Sequence, residues 1–158
     1  MVDQVLSKTI SGLPVKEFMT KAVISVDLNT PANVAAKMME SAGVGSIIVT
    51  EKGKPIGIIT ERDFAIKMIA YAYPPHSKVT QIMSSPIIHA KPNTPILEVA
   101  DLMARKRIRK LPVIDDDRVV GIITATDLLS IFTFCTEEDL KKMYYNFLTQ
   151  IYDQTIPQ

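Results

Sequence analysis

The sequence predicts an α+β fold built from two tandem copies of one β-α-β-β-α unit. Three observations predict it: an internal repeat, a pair of β-rich segments in each copy, and a helical pattern on either side of that pair. When the chain is aligned with itself at an offset of 64 residues, Asn29 falls on Asn93 and the match continues without a gap. Thr60 then falls on Thr124 and Asp63 on Asp127. A gapless match over most of both copies indicates a duplication.

Each copy is expected to form the same elements in the same order. Thr30-Pro31, and Thr94-Pro95 in copy two, predict the start of the first helix, with the threonine as the capping residue. Two β-rich segments joined by a tight polar turn follow, and a second helix starts directly after them. The predicted strands are Ser46–Thr50, Pro55–Thr60, Lys110–Ile114 and Val119–Thr124. The predicted apolar face of the first helix is Val34, Ala35, Met38 and Met39, or Ile96, Val99, Leu102 and Met103 in copy two.

The repeat divides the chain into five segments. We expect an N-terminal extension (1–14), repeat one (15–69), a linker (70–78), repeat two (79–133) and a C-terminal amphipathic helix (134–158). One copy cannot bury both faces of its sheet, so we expect the copies to pack sheet to sheet around a pseudo-two-fold axis, leaving clefts between them. The apolar stripe of the C-terminal helix must also be buried. We expect it to pack against the module itself or against a second copy of the chain, with an effector protein as the alternative. That stripe is Leu140, Met143, Tyr144, Phe147, Leu148, Ile151 and Tyr152.

The composition excludes several classes of function. A formal net charge of +1 provides no overall attraction to nucleic acid or to an anionic membrane. Cys135 is the only cysteine, which excludes an intrachain disulfide and a four-cysteine metal site and favours a reducing, cytoplasmic compartment. No apolar stretch approaches the roughly 20 residues that a membrane helix needs. The two histidines, His76 and His89, are too few and too scattered to form a catalytic or metal site with other residues. We therefore expect no enzyme activity, no metal and no tightly bound cofactor.

The chemistry most specific to this chain lies where each last strand meets its helix. Thr60-x-x-Asp63 and Thr124-x-x-Asp127 have the spacing of a capping box, in which threonine and aspartate satisfy free backbone groups. The same arrangement suits a ligand, because a helix start offers N–H groups to a phosphate and a carboxylate accepts hydrogen bonds from hydroxyls. The spacing alone leaves both interpretations open.

The sequence resembles the tandem cystathionine-β-synthase (CBS) domain family, also called the Bateman module, in a stand-alone form. The resemblance rests on Val-Lys-Glu-Phe-Met-Thr from Val15, Val-Thr-Gln-Ile-Met-Ser from Val79, Leu-Pro-Val-Ile-Asp from Leu111, and both Gly-Ile-Ile-Thr-x-x-Asp turns. It covers roughly Val15–Ile69 and Val79–Phe132.

The resemblance implies a regulatory module that binds adenosine-containing ligands in the clefts between repeats. AMP, ADP or ATP are the expected ligands, with S-adenosylmethionine or a dinucleotide as alternatives. In the family the aspartate of the turn holds the ribose, and the threonine contacts ribose or phosphate. Residues near the first short strand line the adenine pocket. The positions carried over are Thr60, Asp63, Thr124 and Asp127 for ribose and phosphate, and Ile24, Ser25, Ile88 and His89 for adenine.

Phosphate binding is expected to differ between the two clefts. The resemblance places basic residues just before the Leu-Pro-Val strand, and Arg109 and Lys110 match this where copy one has Gly45 and Ser46. Because the clefts are shared, we expect Arg109 and Lys110 to serve the ligand held by Asp63. The other cleft then relies on Ser46 or takes fewer phosphates. Arg62 either adds charge at the first turn or is simply solvated.

The expected assembly is a homodimer formed through the repeat helices, signalling to a partner in trans. Two alternatives remain at this point. The run Arg105–Lys110 is the densest basic stretch of the chain and fits a nucleic-acid-associated regulator, although it has no interleaved aromatic residues. The chain also fits a structural dimerisation module whose clefts are vestigial.

Overall fold

The computed structural model describes residues 12–133, together with residues 137 and 141. Its contacts divide the chain into two compact units. Unit one comprises Thr20–His89 and Pro112–Ile122. The described part of unit two comprises 12–19, Ala90–Leu111 and 123–133. Most described residues of each unit come from one repeat, but the boundaries of the units differ from those of the repeats.

Unit one contains a three-stranded sheet in the order β1-β2-β3. Strand β1 pairs in parallel with β2, and β2 pairs antiparallel with β3. The sheet is followed by a short α-helical turn that continues in π-helical geometry, and then by a further short helix. The bounds are β1 Ser25–Asp27, α1 Ala32–Ala42, β2 Ser46–Glu51, β3 Lys54–Thr60, α2 Glu61–Asp63 with the π-helical segment Phe64–Ala70, and α3 Val79–Ile82.

Unit two contains the two longer helices of repeat two and the segment that precedes repeat one's first strand. Its elements are the 3₁₀ turn Val15–Glu17, α4 Ile96–Lys106 and α5 Ala125–Phe132. Strands β4 (Lys110–Asp115) and β5 (Arg118–Thr124) form a second, two-stranded sheet, whose 112–122 portion lies in unit one. The mixed α+β class and the paired strand–turn–strand segments of both copies are confirmed.

Both hairpin turns are built in the same way. Lys52 and Gly53 have φ angles of 49° and 80°, and Asp116 and Asp117 have φ angles of 44° and 60°. Positive φ at both central residues matches the type I′ turn, whose twist suits the twist of two antiparallel strands. The tight polar turns expected from the sequence therefore form in both repeats.

The opening segment of each repeat packs in the unit that contains the other repeat's first helix. Val79 and Ile82, which open repeat two, are fully buried in the core of unit one. Val15, which opens repeat one, donates its N–H to Thr94 O at 2.9 Å in unit two. The core of unit one comprises Val26, Ala32, Ala35, Met39, Ile47, Val49, Ile59, Val79 and Ile82.

Where repeat one forms β1, repeat two forms only a single bridge residue, Ala90, instead of the expected strand. In repeat one, Leu28 extends the pairing of β1 by donating its N–H to Thr50 O at 3.0 Å. The equivalent position in repeat two is Pro92, which has no N–H to donate. The structure accordingly assigns no strand to Ile87-Ile88-His89.

The predicted threonine caps are wrong. Helix α1 begins at Ala32, and neither α1 nor α4 has a side-chain cap. Their first N–H groups bind backbone carbonyls instead: Ala32 donates to Ser77 O at 2.7 Å, and Ile96 donates to Leu13 O at 2.9 Å. Because chain segments distant in sequence satisfy these donors, no capping hydroxyl is needed.

The predicted apolar face of α1 is only partly buried. Ala35 and Met39 lie in the core, whereas Val34 and Met38 are 42% and 38% exposed. In α4, Leu102 is half-buried while Ile96, Val99 and Met103 are buried. The exposed side chains of α1 leave apolar surface open on that helix.

Two expectations are not tested by the described residues. The sheet-to-sheet arrangement of the copies stays a prediction. The C-terminal amphipathic helix lies outside the described residues except for Glu137 and Lys141, which are helical and form an ion pair at 2.7 Å.

Candidate ligand-binding site

The first candidate corner is the turn between β3 and α2. Thr60 is the last residue of β3 and has extended backbone angles, φ −122° and ψ 167°, so its side chain reaches over the start of the helix. Asp63 Oδ2 accepts the Thr60 N–H and the Thr60 hydroxyl, both at 2.8 Å. The predicted capping box is confirmed.

The second corner, between β5 and α5, repeats this geometry in unit two. Asp127 Oδ2 accepts the Thr124 N–H at 2.8 Å and the Thr124 hydroxyl at 2.7 Å. The Asp127 N–H in turn donates to Thr124 Oγ1 at 3.2 Å. A duplicated sequence has thus produced two nearly identical polar corners.

Each corner leaves part of its carboxylate available. Both bonds described above end on one oxygen, Oδ2, while a carboxylate can accept about four hydrogen bonds over its two oxygens. Among the contacts of the described residues, Oδ1 of Asp63 and Oδ1 of Asp127 accept none. Both side chains are half-buried, which keeps them within reach of a ligand. The capping role and a ligand-binding role are therefore compatible in the same residue.

The sheet of unit one brings further predicted residues to the first corner. Because β1 and β2 are parallel and β3 is antiparallel to β2, the starts of β1 and β2 and the end of β3 share one edge of the sheet. Ser46 lies directly opposite Thr60. Ile24 O accepts the Ile48 N–H at 3.0 Å, which holds Ser25 at the same edge. The structure therefore gathers five predicted residues there: Ile24, Ser25, Ser46, Thr60 and Asp63.

In unit two, the basic residues lie beside the second corner. The Ala125 N–H, at the start of α5, donates to Arg109 O at 2.9 Å. Lys110 follows as the first residue of β4 and is half-buried, whereas the Arg109 side chain is exposed. In unit one the equivalent bond runs from the Glu61 N–H to Gly45 O at 3.4 Å. The backbone thus places Arg109 next to the Asp127 corner.

Other predicted residues are not joined to a corner by the described contacts. Ile88 and His89 belong to unit one, and His89 Nδ1 lies 3.4 Å from Ile87 O. Arg62 is exposed on α2. The prediction that Arg109 and Lys110 serve the ligand at Asp63 joins different units and stays a prediction.

Lys67 is a further polar residue near the first corner that was not predicted from the sequence. It lies four residues after Asp63, at the repeat position that Ile131 fills as a buried residue in unit two. Lys67 is half-buried in the π-helical segment, and its Nζ donates to Ile82 O at 3.4 Å. A cation at the C-terminal carbonyl of a helix is stabilising, so this contact fastens α3 to the segment after the first corner. The repeat alignment contained the signal, a lysine aligned with a core isoleucine.

The described residues contain neither a candidate membrane span nor a candidate metal site. No helix within 12–133 is long and apolar enough to cross a membrane. In the same part of the chain, no group of three histidine, cysteine, aspartate or glutamate side chains is placed to hold a metal ion.

The two corners and their repeated elements are those of a known class of domain. The sequence profile of the CBS domain matches residues 15–69 and 79–133. This covers more than half of the chain, and the chain belongs to the CBS domain family as a tandem pair.

The chain is also similar to individual proteins and solved structures. Protein MK0525 of Methanopyrus kandleri is 40% identical over 119 residues, which span 72% of this chain and 60% of the relative. The CBS domain pair of protein MJ0100, solved in complex with 5′-methylthioadenosine and S-adenosyl-L-methionine, superposes with a TM-score of 0.69 at 32% identity. That match covers 76% of this chain and 95% of the other. The hexameric CBS-CP12 protein from bloom-forming cyanobacteria superposes with a TM-score of 0.69 at 32% identity, covering 74% of this chain and 66% of the other.

Proposed function

We propose that this protein is a regulatory module that binds adenosine-containing ligands at its two threonine–aspartate corners. AMP, ADP or ATP, or an adenosyl compound such as S-adenosylmethionine, are the ligands. The observation that carries the proposal is the state of the two carboxylates. Each is fixed by two hydrogen bonds to Oδ2, while Oδ1 remains able to accept from a ribose hydroxyl.

The surroundings of the first corner suit the rest of an adenosine. Ser25 and Ser46 supply hydroxyl groups at the sheet edge that ends in Thr60. Ile24 adds a half-buried apolar side chain of the kind that packs against a purine ring. The adenosyl compounds in the MJ0100 complex support this ligand class, because that pair shares the family and the fold.

Binding would act by a shift in conformational population rather than by catalysis. A ligand that prefers one conformation of the pair raises the population of that conformation by its difference in affinity. A partner protein in the cytoplasm would detect the change in trans. The exposed Val34 and Met38 on α1 offer apolar surface for a homodimer, and the hexameric CBS-CP12 protein supports association between such modules.

The direct test measures equilibrium binding of AMP, ATP, adenosine and S-adenosylmethionine to the whole chain and to Asp63→Ala and Asp127→Ala. Removing a carboxylate that accepts hydroxyl hydrogen bonds is expected to weaken binding at that corner by about tenfold or more. The same substitutions also remove a cap, at a cost of about 1 kcal/mol in stability. Binding must therefore be measured well below each variant's own melting temperature.

Asp101→Ala is the matched control. It removes a carboxylate that pairs with Arg105 at 2.7 Å on α4 and belongs to neither threonine–aspartate turn, so it should leave every ligand affinity unchanged. If no adenosine compound binds the wild-type chain, the proposal is wrong. If one binds but neither corner variant weakens it, the ligand lies elsewhere.

Nucleic-acid binding through the Arg105–Lys110 run remains the alternative, and it predicts a different dependence on salt. Arg105 is already paired with Asp101, which reduces the free charge of the run. RNA or DNA affinity that falls steeply between low and moderate salt would favour this alternative.

A further inference from the structure

A lysine in repeat one occupies a position that holds an apolar residue in repeat two. Lys67 follows Asp63 by four residues, and Ile131 follows Asp127 by the same interval and is buried. The ammonium group of Lys67 donates to Ile82 O, at the C-terminal end of α3, over 3.4 Å. Lys67 is half-buried, and removing an ammonium group from water is unfavourable unless it is hydrogen-bonded. The contact gives this group a defined partner within unit one.

The helix that carries Lys67 also differs from its counterpart in repeat two. The alignment is gapless, so the same number of residues is available to both helices. In repeat two they form the α-helix Ala125–Phe132. In repeat one the α-helix ends at Asp63 and a π-helical segment follows, after which the Tyr71 N–H donates to Ile66 O, five residues back, at 2.9 Å. This rare geometry is frequent at functional sites, and here it lies between the first corner and the lysine contact.

The chain that follows Ile82 lies along β3, the strand that ends in the first corner. Ile58 donates its N–H to Ser84 O at 3.1 Å, and Ser84 donates its N–H to Ile58 O at 2.9 Å. The Ser85 hydroxyl adds a hydrogen bond to Ile56 O at 3.0 Å. The start of repeat two is thus held by the strand before the corner and, through the lysine contact, by the helix after it.

We infer that Lys67 is a positioning residue that couples ligand binding at the corner of Thr60 and Asp63 to the start of repeat two. A ligand on Asp63 and the contact between Lys67 and Ile82 immobilise the same stretch of helix from its two ends. When one of them has ordered that stretch, the other forms at a smaller cost in conformational entropy, so each strengthens the other. The inference rests on the proposed function, because it requires a ligand at the first corner.

This coupling belongs to the first corner. The equivalent residue behind the second corner is Ile131, and an isoleucine side chain carries no group that donates a hydrogen bond. The two corners share their threonine and aspartate, so the difference lies in what the helix behind each one contacts. Occupancy of the first corner orders the chain where repeat two begins, and occupancy of the second is not transmitted by this route.

Lys67→Met tests the coupling, because methionine keeps an unbranched apolar stem and removes the ammonium group. Asp127→Ala serves as the background, since it leaves the first corner as the one that retains its carboxylate. In that background Lys67→Met should weaken the binding of AMP and of adenosine by about fivefold or more, the lower end of typical coupling energies. Lys67→Arg retains a cationic donor and should retain most of the affinity. Isothermal titration calorimetry measures each affinity.

Matched comparisons separate coupling from other effects of the lysine. Adenosine is uncharged, so equal losses for adenosine and AMP exclude direct contact between Lys67 and a phosphate. Lys78→Met removes a lysine at the start of α3, whose Nζ donates to Asn29 Oδ1 at 3.0 Å, and should change either affinity by no more than about twofold. In Asp63→Ala, which retains the second corner, Lys67→Met should leave both affinities unchanged.

Hydrogen exchange provides a readout that a purely structural lysine would not change. The amides of Met83 and Ser84 donate to Val79 O and Ile58 O, both at 2.9 Å. Saturating AMP should raise the protection of these two amides in the wild-type chain, and should raise it less in Lys67→Met. A structural role alone would lower their protection in the variant equally with and without AMP.

Four results would overturn the inference while leaving the proposed function intact. Two are unchanged affinities in Lys67→Met and a loss confined to AMP. The third is an equal gain of protection from AMP in the wild type and in Lys67→Met. The fourth is no binding of AMP or adenosine to Asp127→Ala, which would mean that neither occupies the first corner. Failure of every adenosine compound to bind the wild-type chain would instead end the proposed function, and the inference with it.

Discussion

The ends of α1 and α4 show how one position is filled differently in the two repeats. Gly43 and Arg107 are equivalent residues, and both adopt left-handed backbone angles, with φ of 64° and 54°. Each donates its N–H to carbonyls of the preceding turn, so both helices are closed in the same way. Glycine adopts this conformation without steric cost, whereas a residue with a Cβ is strained by about 1–2 kcal/mol.

We therefore predict that Arg107→Gly stabilises the protein. The strain at Arg107 is removed, and the greater freedom of glycine in the unfolded chain offsets part of the gain, leaving about 1 kcal/mol. Urea denaturation of wild type and variant measures the difference. Gly43→Ala is the matched control and should destabilise by a similar amount, because it places a Cβ where φ is +64°. A destabilising Arg107→Gly would show that the arginine side chain contributes more than its strain costs.

At the residue scale, contacts between side chains close in the sequence could be predicted, whereas unusual backbone angles could not. The capping pairs Thr60–Asp63 and Thr124–Asp127 follow from spacing alone, since both partners lie within one helical turn. The left-handed angle of Arg107 has no signature in its own side chain. It shows only through alignment with Gly43.

The two hairpins of unit one are joined at their turns by an ion pair. Lys54 Nζ lies 2.6 Å from Asp117 Oδ2. Mainly through this hydrogen bond, and secondly through charge attraction, the pair raises the pKa of Lys54 above 10.5 and lowers the pKa of Asp117 below 3.8. Both side chains are 67% exposed, so water and salt screen the attraction and its effect on stability is small.

The direction of these pKa shifts predicts the pH range in which the ion pair stabilises the protein. The contribution of Asp117 is present above its unfolded pKa and disappears as the pH falls through its lower folded value. The contribution of Lys54 is present below its unfolded pKa and disappears as the pH rises through its higher folded value. Lys54→Gln should therefore slightly lower the free energy of unfolding at pH 7 in low salt, and have no such effect in strong acid or at 1 M salt.

Thermal denaturation at pH 7 and pH 2, in low and high salt, measures this effect. Lys37→Gln, which removes an exposed cation on α1, serves as the control for overall charge. Equal effects of the two substitutions under every condition would mean that the pair with Asp117 contributes nothing.

Secondary-structure elements could be predicted where the residues that determine them lie close together in the sequence. The hairpins form as expected because strand propensity and turn chemistry agree locally. The caps of α1 and α4 were mispredicted because carbonyls of Ser77 and Leu13, distant in sequence, bind the free N–H groups. In repeat two the first strand is reduced to one bridge residue, Ala90, and Pro92 lacks the N–H that Leu28 donates in repeat one.

At the scale of the whole molecule, the period of the sequence and the units of packing do not coincide. Val15 and Val79 occupy equivalent positions at the start of the two repeats, and each is fully buried in the unit built around the other repeat's first helix. Periodicity shows that these segments are equivalent but cannot show which core they enter, because both choices bury the same apolar side chains. For this reason the sequence predicted the duplication and not the exchange.

The burial of α3 in unit one predicts which unit a substitution in α3 will destabilise. Ile82 belongs to repeat two by sequence but is fully buried in the core of unit one. Ile82→Ala should therefore destabilise by about 2–5 kcal/mol and Ile82→Val by about 0.5–1.5 kcal/mol. Ile69→Ala is the control, because that side chain is 80% exposed and its truncation should change stability by no more than about 0.5 kcal/mol.

Hydrogen exchange shows which unit the change affects. Amides of β2, such as Ile47 and Val49, share the core with Ile82 and should lose protection in Ile82→Ala. Amides of α4 in unit two should lose less, although α4 belongs to the same repeat as Ile82. If α4 loses protection first while β2 is unchanged, α3 stabilises its own repeat and the exchange of opening segments does not determine stability.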